Sequence, residues 1–260
     1  MSGTLEYVYC VVPATLVVRA VPRGIDRTAV RRVAHGDLAA LVSSLDATEY
    51  SGDAPASRMN DAEWLTPRAV MHDALVTWAG DQGAVVPFPM WVMFSDEAAV
   101  AEMLAQRSAE LRDTLGRVGG ASEFGVRLSG DQAALAAAAE TMNSALAELD
   151  QQAKCAAPGQ AYLLRRKLAD ARKAATRDAA VRIVEHTHDA LSSHSRASVA
   201  RATALANEPG VLLDGAYLVA DEDYQQFRTV LTDIIAAYEP AGLRFDFTGP
   251  WPPYHFVRDE

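Results

Sequence analysis

The thirteen residues Phe245-Asp-Phe-Thr-Gly-Pro-Trp-Pro-Pro-Tyr-His-Phe-Val257 set the tightest limits on what this chain can build. Pro250, Pro252 and Pro253 lack a backbone N–H and hold φ near the extended value, so neither a helix nor a central strand can run through them. Before them, Leu243, Phe245 and Phe247 alternate with Arg244, Asp246 and Thr248, the period of a half-buried strand. Gly249 is the natural turning point. The stretch reads as a strand that stops abruptly and continues as a stiff, aromatic-bearing tail. Such a tail loses little entropy on docking, and Trp251 and Tyr254 each offer a large area to bury. We read it as folded onto the protein's own surface. Pro250, Trp251, Pro252, Pro253 and Tyr254 are the candidate docking residues for a partner. His255 is the one residue here able to carry acid–base or metal chemistry.

At 260 residues, half of them hydrophobic, the chain can fill the cores of two ordinary domains. A net charge of −10 and a pI near 5.1 argue against a general nucleic-acid binder, whose footprint is basic, and against an anionic lipid surface. Cys10 and Cys155 are far apart and lack a CxxC partner, so neither a disulfide framework nor a thiolate metal site is expected. The opening Met-Ser-Gly-Thr-Leu-Glu lacks the basic-then-apolar pattern of a signal peptide, and no apolar run approaches the roughly 20 residues of a membrane span. The expectation is a reduced, soluble, cytoplasmic protein.

Along the chain, Leu5 to Val12 is apolar on both sides, with Tyr7, Tyr9 and Val11 on one face and Val8, Cys10 and Val12 on the other. That suits a central strand ended by Pro13. Val30–His35 and Leu38–Ser44 read as two β segments around Gly36-Asp37, and Tyr50–Ser57 reads as a loop. Asn60 can cap a helix to about Gln82 with Trp64, Val70, Met71, Leu75 and Trp78 on its apolar face. Pro67 must sit in its first turn or break it. Ala84–Phe94, interrupted by Pro87 and Pro89, is at best an edge or bent strand. Ser95-Asp96-Glu97 opens a helix that Gly119-Gly120 stops.

Glu123–Leu128 is a short strand, and Asp131 starts a long alanine-rich helix. In it Leu135, Ala139, Met142, Leu146, Leu149 and Ala153 form a heptad seam about 35 Å long at 1.5 Å per residue. After Pro158-Gly159, Leu164, Leu168, Ala171, Ala175, Val181, Val184, His188 and Leu191 mark a second helix, and the two should pack as an antiparallel hairpin. Ser195–Leu205 is ambiguous between helix and strand, and Asn207-Glu-Pro-Gly210 is a turn. Val211–Ala220 is a strand. Asp221 caps a helix whose stripe is Tyr224, Phe227, Leu231, Ile234 and Tyr238. The order is α+β throughout, with the boundary near Gly119-Gly120. Residues 1–119 form an α+β domain with a small antiparallel sheet. Residues 120–248 form a modified ferredoxin-like βαββαβ domain with a long helical hairpin, and residues 249–260 form the tail.

His186-x-His188, with Glu185, Asp189 and His194 nearby, is the best metal candidate. On a helix, however, residues two apart point about 200° away from each other and cannot share an ion, so no metal is expected. Arg165-Arg166-Lys167 with Arg172, Lys173 and Arg177 makes a basic face on an acidic chain. It reads as a solvated face paired with nearby acids, or as a docking face for an acidic partner. Asp221-Glu222-Asp223 is explained by capping, and Pro250-x-x-Pro253 is a common PxxP form. No G-x-S-x-G, P-loop or G-x-G-x-x-G occurs, and no nucleophile, base and oxyanion donor recur at a known spacing. Neither a cofactor nor an enzyme is expected.

Phe247-Thr-Gly-Pro-Trp-Pro-Pro-Tyr254 with Phe256-Val257 resembles the C-terminal signature of the GvpF/GvpL gas vesicle protein family. Tyr7–Val12, Glu123–Leu128, Pro158–Leu163 with Arg165–Lys167, and Asp214–Val219 with Phe227 resemble further family segments over nearly the full chain. Where the family shows a Pro-x-Arg-Phe-Gly-like run, this chain has Pro87-Phe-Pro-Met-Trp-Val-Met-Phe94. The resemblance implies an accessory or minor structural protein of gas vesicles, associated with the shell in the cytoplasm. It also implies binding to the small, apolar major shell protein and other vesicle accessory proteins, and a modified ferredoxin-like C-terminal domain. No nucleic acid or lipid membrane is implied as a partner. A competing reading is a ferredoxin-like module that binds or transforms a small molecule, since that fold hosts many functions.

Overall fold

The computed structural model describes residues 3–16, 20–52, 58, 60–201 and 210–257. The chain is a mixture of helices and small sheets. It divides into two compact units, Met1–Glu123 with Pro250–Glu260, and Phe124–Gly249.

In the first unit β1 (Thr4–Pro13) is the central strand. It pairs antiparallel with β3 (Leu38–Asp46) on one side and with two short strands, β4 (Val86–Pro87) and β5 (Met93–Phe94), on the other. The outer strand β2 (Arg31–His35) joins β3 through the Gly36-Asp37 turn. The register slips between Val8 and Cys10, so strict alternation ends there. Tyr7, Tyr9, Cys10 and Val12 consequently share one core cluster, whereas a regular strand would have split them between two faces.

A single turn, α1 (Ala47–Tyr50), follows β3, and α2 (Ala62–Gln82) packs on β1. Asp61, one residue later than expected, caps α2, its Oδ1 accepting from the N–H groups of Glu63 and Trp64. Pro67 lies inside the unbroken helix. The acceptor it fails to reach is the carbonyl of exposed Glu63, so the lost bond falls where solvent can replace it. The buried face is Trp64, His72, Leu75, Val76 and Ala79, while Val70 is exposed. Asp96 caps α3 (Glu97–Gln106), accepting from Ala99 N–H at 2.9 Å. The helix bends at Arg107, and α4 (Ser108–Val118) follows.

The second unit's sheet has the order β7 (Ala197–Arg201), β8 (Val211–Ala220), β6 (Ala121–Ser129), β9 (Arg244–Trp251). Gly125 permits the close approach of β9, since a Cβ there would lie 2.6 Å from Thr248 Oγ1. Phe124 is stacked between Tyr224 and Phe247, with ring centroids 5.0 and 5.5 Å away. β9 continues through Gly249 and Pro250 to Trp251 instead of stopping at the glycine. It is an edge strand, where a proline forfeits no ladder bond.

The alanine-rich segment is two helices, α5 (Gln132–Met142) and α6 (Ser144–Cys155), both packed on the 35-residue α7 (Pro158–Ser192). Asn143 adopts extended angles and caps α6 through Ala145 N–H. The break turns Met142 out of the expected seam, whereas Leu135, Ala139, Leu146 and Ala153 stay buried. On α7 Val181 is exposed, and Ile183 takes the buried place beside it. The ambiguous stretch after α7 gives β7, and its continuation with the expected Asn207 turn lies outside the described residues up to Gly210. Asp221 is not a cap. Residues 221–223 form a turn closed by Asp223 N–H on Ala220 O, and α8 (Tyr224–Tyr238) begins after it.

Candidate functional site

Trp251, at the end of β9, is 44 % exposed, and Pro250 beside it is exposed. Pro252 and Pro253 are buried, Tyr254 is half-buried, His255 is exposed, and Phe256 and Val257 are buried. Two turns shape the segment, with Tyr254 N–H donating to Pro252 O at 2.8 Å and Phe256 N–H donating to Pro253 O at 3.1 Å. Tyr254 packs against the first unit's core cluster, and burial pushes its phenol pKa up, so it stays neutral.

Glu123 and Arg117 hold this tail. Glu123, 4 % exposed, accepts from His255 N–H at 2.9 Å through one oxygen and contacts His255 Nδ1 at 2.6 Å through the other. A carboxylate accepts, so the imidazole presents its Nδ1 proton to it. Arg117 donates to Phe256 O at 3.2 Å. Sequence reasoning placed Glu123 at the head of a strand without seeing this role. Its one signal was an acid opening an otherwise apolar run. Of the five candidate docking residues, only Pro250 and Trp251 turn a substantial surface outward.

Beneath the tail's docking site lies an aromatic cluster that sequence reasoning also missed. Tyr7 OH sits 2.8 Å from His72 Nδ1, and Trp91 N–H donates to the same hydroxyl at 3.4 Å. Tyr7 therefore donates to His72, which leaves the imidazole proton on Nε2. That buried Nε2 has no hydrogen-bond partner of full geometry among the described residues. Burial pushes the His72 pKa down to about 4, with the Phe88 backbone offsetting this in part. Trp91 stacks on Trp64, which in turn lies under Arg68 with its guanidinium 4.5 Å from the ring centroid. Arg68 also binds Tyr50, Asp26 and Glu49.

The histidine candidates separate. His186 Nδ1 contacts Tyr238 OH at 3.0 Å, and His188 Nδ1 contacts Tyr217 OH at 3.1 Å. Among the described residues no group of three or more His, Cys, Asp and Glu is arranged to hold a metal. Ser192 Oγ lies 3.4 Å from His188 Nε2 but donates to Ser198 Oγ at 2.8 Å, so its proton points away from the imidazole. A cavity of about 620 Å³ is lined by residues including Leu16, Val30, Arg31 and Arg32. Among the described residues both its cations are engaged, Arg31 with Glu6 at 2.7 Å and Arg32 with the carbonyls of Ala14 and Leu16.

A family model described as gas vesicle synthesis protein GvpL/GvpF matches residues 5–258. The chain belongs to the GvpL/GvpF family. It is 27% identical to Gas vesicle protein L of a Streptomyces species, over 98% of this chain and 94% of the relative. Gas vesicle protein L2 of Halobacterium salinarum is likewise 27% identical, over 98% of this chain and 91% of the relative. The crystal structure of GvpF from Anabaena sp. PCC7120 shares the fold, with a TM-score of 0.69 at 14% identity, covering 99% of this chain and 98% of that one. GvpF from Microcystis aeruginosa superposes with a TM-score of 0.68 at 16% identity, covering 98% and 99%. GvpL/GvpF membership supports a role in gas vesicles. Among the described residues no helix is long and apolar enough to cross a membrane.

Proposed function

We infer that this GvpL/GvpF protein is an accessory or minor structural protein that acts in gas vesicle assembly by binding the small apolar shell protein and other vesicle proteins. The observation that carries this reading is the family match along residues 5–258. The geometry supports a contact role. β9 is an edge strand exposed along nearly its whole length, and it ends in the exposed pair Pro250 and Trp251. An open edge offers unpaired N–H and C=O groups to an extended apolar segment, while the proline limits runaway pairing. A shell-associated location in the cytoplasm follows from this role.

The order β6, helices, β7, β8, α8, β9, with the spatial order β7-β8-β6-β9, supports reading the second unit as a modified ferredoxin-like domain. The enlarged first helical part is α5, α6 and α7. The test is co-purification of the full chain with the shell protein at low and moderate salt. Intact protein should retain the shell protein, and Trp251→Ala should lower recovery several-fold at unchanged circular dichroism. No retention by the intact chain at either salt would overturn the reading.

A further inference from the structure

The outward side of α7 carries charge and apolar surface that the hairpin does not use. Over residues 158–182 seven cations stand against two carboxylates, a local balance of +5 in a chain of net charge −10. Arg172 is engaged, with its Nε 2.6 Å from Glu140 Oε1. Arg165, Arg166, Lys167, Lys173 and Arg177 are all exposed, and none of them makes an ion pair among the described residues. Asp170, the nearest carboxylate on this side, makes none either. At 100° per residue Tyr162, Arg166, Lys173 and Arg177 fall within an arc of roughly 60°. That arc lies away from the buried Leu168, Ala175 and Ala179.

An ordinary solvated helix face alternates its charges and keeps large apolar groups inside. This one sets like charges four residues apart at Lys173 and Arg177, and leaves Tyr162 67% and Leu163 66% exposed at the adjoining end. Exposed Ala169 borders this arc, about 20° beyond Tyr162, so a facing backbone can come close there. Cations seven and four residues apart along one face match the repeat of a second helix laid beside it. A second copy's α7 is not the occupant, because two such basic faces would repel.

We propose that the outward face of α7 docks an acidic amphipathic α-helix of a partner protein. Carboxylates at matching seven- and four-residue spacing meet Arg166, Lys173 and Arg177, and an apolar side chain covers Tyr162 and Leu163. This site is separate from the tail, and its test does not depend on shell-protein binding. The probe is a fluorescent 21-residue helical peptide with Glu at those spacings and Leu at one end, titrated into the full chain by polarisation. Its control is a scrambled peptide of the same composition. The designed peptide should bind at least tenfold tighter than the scrambled one. Lys173→Glu should weaken it at least fivefold, while Arg228→Glu, an equal charge change on α8, should leave it within twofold. Tyr162→Ser with Leu163→Ser should also weaken it severalfold. Equal binding of both peptides, or equal loss in both charge variants, would overturn the proposal. So would tighter binding to vesicles of phosphatidylglycerol and phosphatidylcholine or to duplex DNA, or a dimer in light scattering that Lys173→Glu dissociates.

Discussion

Glu123 is joined twice to His255, accepting its backbone N–H at 2.9 Å and meeting its Nδ1 at 2.6 Å, across 132 residues of chain. The carboxylate is almost wholly buried, and both its oxygens are engaged by this one residue. Hydrogen bonds to a charged acceptor are worth about 1.5–3 kcal/mol. Glu123→Ala should therefore destabilise the first unit by about 2–3 kcal/mol, and Glu123→Gln, which keeps an acceptor, by about 1 kcal/mol. Urea unfolding measures both. Limited proteolysis should cut the tail of the alanine variant faster than wild type. Unchanged unfolding midpoints would mean that the tail is held without this carboxylate, by its buried prolines, Tyr254, Phe256 and the Arg117 bond.

His72 makes the same unit sensitive to acid. Burial holds its folded pKa at about 4 against an ordinary value of 6.5, so the unfolded chain binds the extra proton between those values. A group buried in its neutral form gives stability that is complete above about pH 6.5 and is lost as pH falls toward 4. At 1.36 kcal/mol per unit the loss amounts to about 3 kcal/mol. Unfolding free energies at pH 7.0, 5.5 and 4.5 should show this slope in the wild type and a shallower one in His72→Gln. The neighbouring Tyr7 and Tyr9 do not contribute, because burial raises their pKa values further above neutrality.

Trp91 stands in the left-handed region at φ +71°, where a bulky side chain costs about 1–2 kcal/mol. Here the indole offsets the strain by stacking on Trp64 at 5.1 Å and Tyr50 at 6.0 Å. Trp91→Ala removes the stack and keeps the strain, whereas Trp91→Gly removes both. The glycine variant should be the more stable of the two by about 0.5–1 kcal/mol, once the extra freedom of unfolded glycine is included. Thermal melts of the two proteins side by side decide it, and an alanine variant at least as stable as the glycine one would refute the strain.

Strand and helix identities were legible wherever local chemistry decided them. Val211–Ala220 is bulky and apolar, Asp96 and Asp131 are good caps, and the tail prolines permit few conformations. Tertiary events were not legible. The slip at Val8 and Cys10 merges two faces of β1, and Asn143 interrupts a heptad pattern that looks continuous in sequence. The tail's anchors could not be found either, because Glu123 and Arg117 lie more than a hundred residues from the groups they hold. Spacing reports neighbours on one element, not partners across the fold.

The registry of α7 offers the sharpest comparison between pattern and packing. A stripe through Val181 and Val184 follows from helical spacing, but the buried residues are Ala179, Ile183, Thr187 and Leu191, four apart. A step of four residues turns the buried face slowly along α7, from the cluster shared with α5 and α6 at Ala179 and Ile183 to the one shared with β8 and α8 at Leu191. Ile183 is fully buried, so Ile183→Ala removes transfer energy and leaves a cavity, costing about 3 kcal/mol. Val181, 56% exposed, should lose less than about 0.5 kcal/mol on change to alanine. Guanidinium unfolding of the two single variants checks the registry. Equal losses would place both residues at the seam, and a reversed order would require α7 to be rotated by about half a turn.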